Sequence, residues 1–280
     1  MLRCRKHHFL IAASLSASLI MSAPGCTSSG GHRTGVNVPE IRPGVAAGYL
    51  RADEMPDSTR LLPPPPAPGT AAFAADVEAS ELRHLKGSAR WEQARQDSIL
   101  KFPEAAGIFE CALDAPVSES ETPNLYALLR RSRTDGAVVS DAAKARYQRP
   151  RPFMHNHDAL CTPEKQEELA KNGSYPSGHT SIGWTWALIL SEVAPWRADE
   201  VLARGRSYGM SRVVCNAHWK SDVTEGRFMG ASVVARLHGN PEFRSDVAAA
   251  RRELEALRDR GAKPARDCAA ERRALGDGDG

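Results

Sequence analysis

Apolar residues recur at helical spacing through most of this chain. Ile182, Trp186, Ile189, Leu190 and Val193 fall on one stripe, the signature of a helix with a buried face. Comparable runs separated by Gly, Pro or Asn predict helices over 71–100, 123–134, 138–148, 163–171, 180–194, 197–209, 218–237 and 241–260. No stretch alternates apolar and polar residues convincingly enough to predict a strand. The pattern therefore gives an all-α fold, a single helical-bundle domain.

The remainder divides by composition. Residues 1–25 read as a secretory leader: Arg3, Arg5 and Lys6 precede an apolar run from Phe9 to about Ala23, too short for a membrane span. Ala23-Pro24-Gly25-Cys26 leaves two alternatives open, ordinary cleavage nearby or lipidation of Cys26 as an outer-membrane anchor. Either places the mature protein in the periplasm. Residues 26–44 read as a polar tether and 45–261 as the catalytic domain, with Pro63 to Pro66 a polyproline segment packed over its surface. The stretch 262–280, charged and ending in Gly-Asp-Gly-Asp-Gly, reads as a mobile tail.

With 280 residues and 41% hydrophobic content the chain can bury one sizeable core, and a formal charge of +3 is too small to imply a nucleic-acid partner. Homo-oligomerisation is left open. In an exported protein Cys111, Cys161, Cys215 and Cys268 can form disulfides in three pairings, among which sequence does not choose; Cys215 reads equally well as a small buried residue.

Three blocks carry the chemistry. Lys144 is followed after six residues by Arg151-Pro152; Pro176-Ser177-Gly178-His179 opens the apolar helix; and Ser211-Arg212 is followed after five residues by His218 and, one helical turn later, by Asp222. Ser177 is the natural N-cap, so the Gly178 amide and its neighbour face outward at the positive end of the helix dipole, where a phosphate settles. Lys144, Arg151 and Arg212 supply a cage for phosphoryl oxygens. His218 and Asp222 share a helix face, so the carboxylate can hold one ring nitrogen and leave the other to attack phosphorus. His179 is placed to protonate the leaving group, with Ser177 and Gly178 holding the remaining oxygens. A divalent metal would be repelled by these cations, so neither a metal nor another cofactor is expected. His155 and His157 have no third ligand at regular spacing and read as loop residues at the pocket rim.

Together the three blocks resemble the signature of the type 2 phosphatidic acid phosphatase and vanadium haloperoxidase superfamily. Gly173-Ser174-Tyr175-Pro176-Ser177-Gly178-His179-Thr180, with Tyr147 to Phe153 before it, is similar to the bacterial class A non-specific acid phosphatases in particular, and the similarity extends from about Tyr49 to Phe243. The resemblance implies a helical bundle with the active site at one end, small phosphomonoester substrates and a phosphohistidine intermediate. Two other readings stand beside it: a vanadium haloperoxidase, which uses the same blocks for vanadate, and a non-catalytic envelope lipoprotein that only binds phosphate.

Overall fold

The computed structural model describes residues 36–276. The leader, Cys26 and most of the expected tether lie outside the described residues. A two-stranded hairpin comes first, β1 (Glu40–Arg42) with β2 (Val45–Ala46), and it is the sole sheet among the described residues. The helices that follow are α1 (Ser58–Leu61), α2 (Ala71–Ser80), α3 (Ala89–Gln96), α4 (Glu110–Leu113), α5 (Pro123–Val138), α6 (Asp141–Tyr147) and α7 (Pro152–Asn156). Then come α8 (Gln166–Ala170), α9 (Gly178–Val193), α10 (Ala198–Val214), α11 (Lys220–Leu237), α12 (Pro241–Asp259) and α13 (Cys268–Gly276). The fold is all-α, as the periodicity predicts.

Helix α9 is the axis of the bundle, flanked by α5, α10 and α11, because it is apolar nearly all round: ten of its residues are buried, Trp186, Ile189, Leu190 and Val193 among them. Close approach depends on absent side chains. A Cβ on Gly226 of α11 would lie 2.6 Å from the Ser177 carbonyl oxygen, so any other residue there would push α11 off the start of α9. Helix α12 closes one side with Phe243, Val247, Ala250, Leu254 and Leu257 on a single buried face. Its start is fixed by Asn240, whose side chain accepts from the Glu242 and Phe243 amides, and by Pro241 in the first turn.

Several expectations need correction. The run 71–100 is two helices, because Gly87 takes φ +84° and Ser88 caps α3 by accepting from the Trp91 amide. Helix α10 continues to Val214, five residues beyond the expected end, and thereby carries Ser211 and Arg212 on regular helix; the chain turns only at Asn216, φ +61°. His155 lies on the short helix α7 rather than in a loop. The stretch expected as a mobile tail holds α13, tied down by a disulfide between Cys111 and Cys268 and by the buried Glu271. The second disulfide joins Cys161 to Cys215. The polyproline segment does pack on the domain: the Tyr175 hydroxyl donates to the Pro63 carbonyl at 2.8 Å. Among the described residues, no helix is long and apolar enough to cross a membrane.

Candidate active site

The three blocks converge where α9 begins. Ser177 has extended backbone and caps the helix, its Oγ accepting from the Thr180 amide at 3.2 Å and from the Thr180 hydroxyl at 2.9 Å. The amides of Gly178 and His179, first in the helix, are by position without intrahelical acceptors. Lys144 arrives from α6, which Gln148 terminates in a left-handed conformation, and its Nζ donates to the Gly173 carbonyl at 2.7 Å. Gly173 is required: a Cβ there would lie 2.7 Å from the Lys144 carbonyl oxygen.

Arg151 is held by backbone on all sides. Its Nε donates to the Leu169 and Asn172 carbonyls at 2.8 and 3.1 Å, and Nη1 donates to the Ala217 carbonyl at 3.0 Å. The same Nη1 lies 3.0 Å from His218 Nε2. Because a guanidinium only donates, Nε2 must be the accepting nitrogen, which puts the ring proton on Nδ1. Arg212 reaches the site from α10 and is joined to His218 through the backbone, its carbonyl accepting from both the Ala217 and His218 amides. Arg212 Nε and Nη1 are buried and have no partner within the protein. Unpartnered buried donors are costly, and an anion is the ligand that would satisfy them.

The sequence places Asp222 as the acceptor for His218, but the structure gives the carboxylate other first partners. Asp222 is the third residue of α11, and its Oδ2 accepts from the Trp219 amide at 2.9 Å while Oδ1 accepts from Arg149 at 2.6 Å. His218 Nδ1 stands 3.4 Å from Oδ2. The Ser174 carbonyl also faces the ring and favours its protonation, yet no acceptor reaches Nδ1 with hydrogen-bond geometry. Arg149 was not singled out from sequence. The Nη1 that serves Asp222 also donates to Ser221 Oγ at 2.8 Å, Nη2 donates to Asp76 of α2 at 2.8 Å, and the guanidinium lies over the Trp219 ring. The sequence signal was the repeat Arg149-Pro150-Arg151-Pro152: two arginines two positions apart on an extended segment, one serving Asp222 and the other His218. Trp219 locks that segment, its indole donating to the Pro150 carbonyl at 2.8 Å.

Burial and neighbouring cations set the charges. The Lys144 ammonium is pushed down to about 7, mainly by burial and then by Arg151. Arg151 falls to about 10 for the same reason, with Arg212 adding to it, and stays charged. Both histidines are held well below their ordinary 6.5: His218 by burial, Arg151, Lys144 and Arg212, and His179 by burial, Arg212 and His218. His179 keeps partial exposure, while His218 is 2% exposed, so His179 stands at the mouth and His218 at the floor. His179 Nε2 faces the Ser98 carbonyl at 3.1 Å, a contact that favours its protonated form.

A neighbouring cavity of about 660 Å³ touches Lys144 but is lined by Asp141, Glu164, Glu167 and Glu168, whose charge repels phosphate. It is not the anion site. His155 stacks edge-on against Phe73 and Trp219 and makes no cluster with His157. Among the described residues, no three His, Cys, Asp or Glu side chains are grouped to hold a metal ion.

Residues 131–244 match the PAP2 superfamily, a span that contains all three blocks. The non-specific acid phosphatase of Providencia stuartii is 42% identical over 212 residues, which is 75% of this chain and 86% of that protein. That of Salmonella typhimurium is 42% identical over 204 residues, 72% of this chain and 82% of the relative. An acid phosphatase of Zymomonas mobilis is 42% identical over the same length, covering 77% of that protein. This chain belongs to the class A non-specific acid phosphatases. The family matches the fold, and it accounts for three buried cations and two histidines gathered at one helix start.

Proposed function

We propose that this chain, by its family a phosphomonoester hydrolase, works through a phosphohistidine on His218. The observation that carries this reading is the 3.0 Å contact from Arg151 Nη1 to His218 Nε2, because it keeps that nitrogen deprotonated and turned toward the cage. The substrate phosphate takes the place facing Arg212 Nε and Nη1 and the Gly178 and His179 amides, with Lys144 and Arg151 on its other side. Nε2 attacks phosphorus in line, and the alkoxide departs as His179 gives it a proton. The negative charge of Asp222 stabilises the ring as it becomes positive. A water, activated by the now neutral His179, hydrolyses the phosphoenzyme.

The acid preference in the family name has a physical counterpart in this reading. A Lys144 ammonium that titrates near 7 is charged below that pH and neutral above it. Its grip on phosphate is therefore fully present in acid and lost as pH rises through about 7, so KM is expected to climb there.

Orthovanadate tests the cage. It takes the five-coordinate shape of phosphoryl transfer, and competitive inhibition far below phosphate concentrations is expected, with full activity retained in EDTA. Activity that vanishes in chelator and returns with a divalent metal overturns the reading. Halide oxidation by the vanadate-loaded protein would favour the haloperoxidase alternative, and none is expected.

Export to the periplasm is part of the same proposal. It is supported by the residues of the leader and by two disulfides, which persist in oxidising compartments. Fractionation should find the mature chain outside the cytoplasm. If Cys26 carries a lipid, Cys26→Ser moves the protein from membrane to soluble fractions; unchanged membrane association would exclude the anchor.

A further inference from the structure

His179 is the one proposed catalytic side chain whose polar partner is supplied from outside the three blocks. Its Nε2 meets the Ser98 carbonyl, in the turn that ends α3, which is closed locally by the Ser98 amide and hydroxyl donating to the Arg95 carbonyl at 3.1 and 2.6 Å. What ties that turn to the rest of the domain is the preceding residue. The Asp97 carboxylate is fully buried and accepts from Gln93 at 2.9 Å, from Ser211 Oγ at 2.6 Å, and from Arg204 at 2.5 and 3.2 Å. Arg204, 4% exposed, is in turn shared: its Nε donates to Glu271 of α13 at 3.2 Å. A second tie reaches the same place, because Arg266, in the segment leading into α13, donates to Gln96 Oε1 at 2.9 Å. One contact from the C-terminal segment thus lands on Gln96 and the other on the arginine that grips Asp97, immediately before the carbonyl that faces His179.

We propose that Glu271 is a positioning residue for His179, acting through Arg204 and Asp97 on the Ser98 carbonyl, and that the Cys111–Cys268 disulfide holds it in register. The proposal rests on the reading of His179 as general acid. Helix α13 is nine residues long, and an isolated helix of that length is marginal. The disulfide stands at its first residue and joins it to α4, while the Ala265 amide, just upstream, donates to Glu110 of the same helix. With the bridge present, Glu271 faces Arg204 without further ordering. Without it, Arg204 turns wholly to Asp97 and the Gln96–Asp97 turn loses its outer support. The Ser98 carbonyl then shifts from His179, and with it goes a contact that favours the protonated ring.

The consequence is selective. A displaced general acid slows expulsion of an alkoxide, which needs a proton, and spares a nitrophenolate, which does not. Glu271→Ala and, separately, Cys111→Ser with Cys268→Ser are therefore compared with the parent enzyme on an alkyl phosphate and on nitrophenyl phosphate. The expected result in both variants is a fall in the alkyl-to-nitrophenyl kcat ratio of about fivefold, the worth of one hydrogen bond. KM should be unchanged, and the alkaline limb of the alkyl profile should move to lower pH. Loss of stability alone would lower both substrates in proportion and leave the limb in place, which overturns the proposal. If Glu271→Ala does not accumulate as folded enzyme, the cysteine variant decides alone. His179→Asn, measured beside them, separates the two ideas. No discrimination in His179→Asn means the general-acid reading has failed; discrimination there with none in the C-terminal variants means that only the positioning role has failed.

Discussion

His218→Ala is expected to fold normally and to lose about 10⁴-fold or more of kcat, since removal of an attacking group leaves only binding and the anion cage. Acid quench of the parent enzyme during turnover should trap a phosphoryl group that is labile in acid and stable in base, and peptide mapping should place it on His218. The geometry makes the expectation sharp. Nε2 is the accepting nitrogen opposite Arg151, and burial with three neighbouring cations keeps the ring neutral well below its ordinary 6.5. Nucleophilicity is therefore not lost on acidification until far down the pH scale. Asp222→Asn should be hurt less, about 10²-fold, because it removes the charge facing Nδ1 but not the attacking atom. An active His218→Ala enzyme, or a phosphoryl group trapped elsewhere, would end the phosphohistidine mechanism.

His179→Asn is expected to depress kcat for alkyl phosphates by about 10²-fold or more and to change nitrophenyl phosphate hydrolysis by less than about tenfold. The sign of the pH effect follows from its surroundings. The general acid must hold a proton, and burial, Arg212 and His218 pull its pKa well below 6.5 in the free enzyme. Protonation is thus present at low pH and lost as pH rises through that depressed value, so the alkaline limb of kcat/KM should lie below 6.5. A bound phosphate dianion opposes the shift, so the limb of kcat should lie higher than that of kcat/KM. Equal losses for both substrates would assign His179 to phosphate binding instead.

Both predictions concern residues that were legible in the sequence, for a simple reason. His218 and Asp222 are four positions apart, although α11 starts only at Lys220 and His218 stands just ahead of it and not on its face. Ser177 is a cap at the head of a strongly apolar helix, and Lys144 and Arg151 flank a proline; each relation is local. Arg149, Asp76, Asp97 and Ser98 were not legible, because their partners lie far along the chain. Arg149 and Asp222 are separated by 73 positions, Arg149 and Asp76 by the same number, and Asp97 and Arg204 by 107. The misread tail has the same cause. Its composition is that of a frayed end, and what orders it is a cysteine whose partner is 157 residues away and a carboxylate whose partner is on α10. The break in 71–100 is itself local, since Gly87-Ser88 is a stop followed by a cap.

Asp76 has a consequence for where this catalyst begins. It belongs to α2, well upstream of residues 131–244, yet its Oδ2 accepts from Arg149 and from the Ser221 hydroxyl, and its Oδ1 accepts from the Ser221 amide. A fragment cut to the stretch that carries every signature residue would leave Arg149 half-neutralised beside Asp222, and would also lack the carbonyl that meets His179. The heritable unit of this chemistry is therefore longer than its signature, and a protein cut to residues 131–244 should bear all the right letters and not turn over.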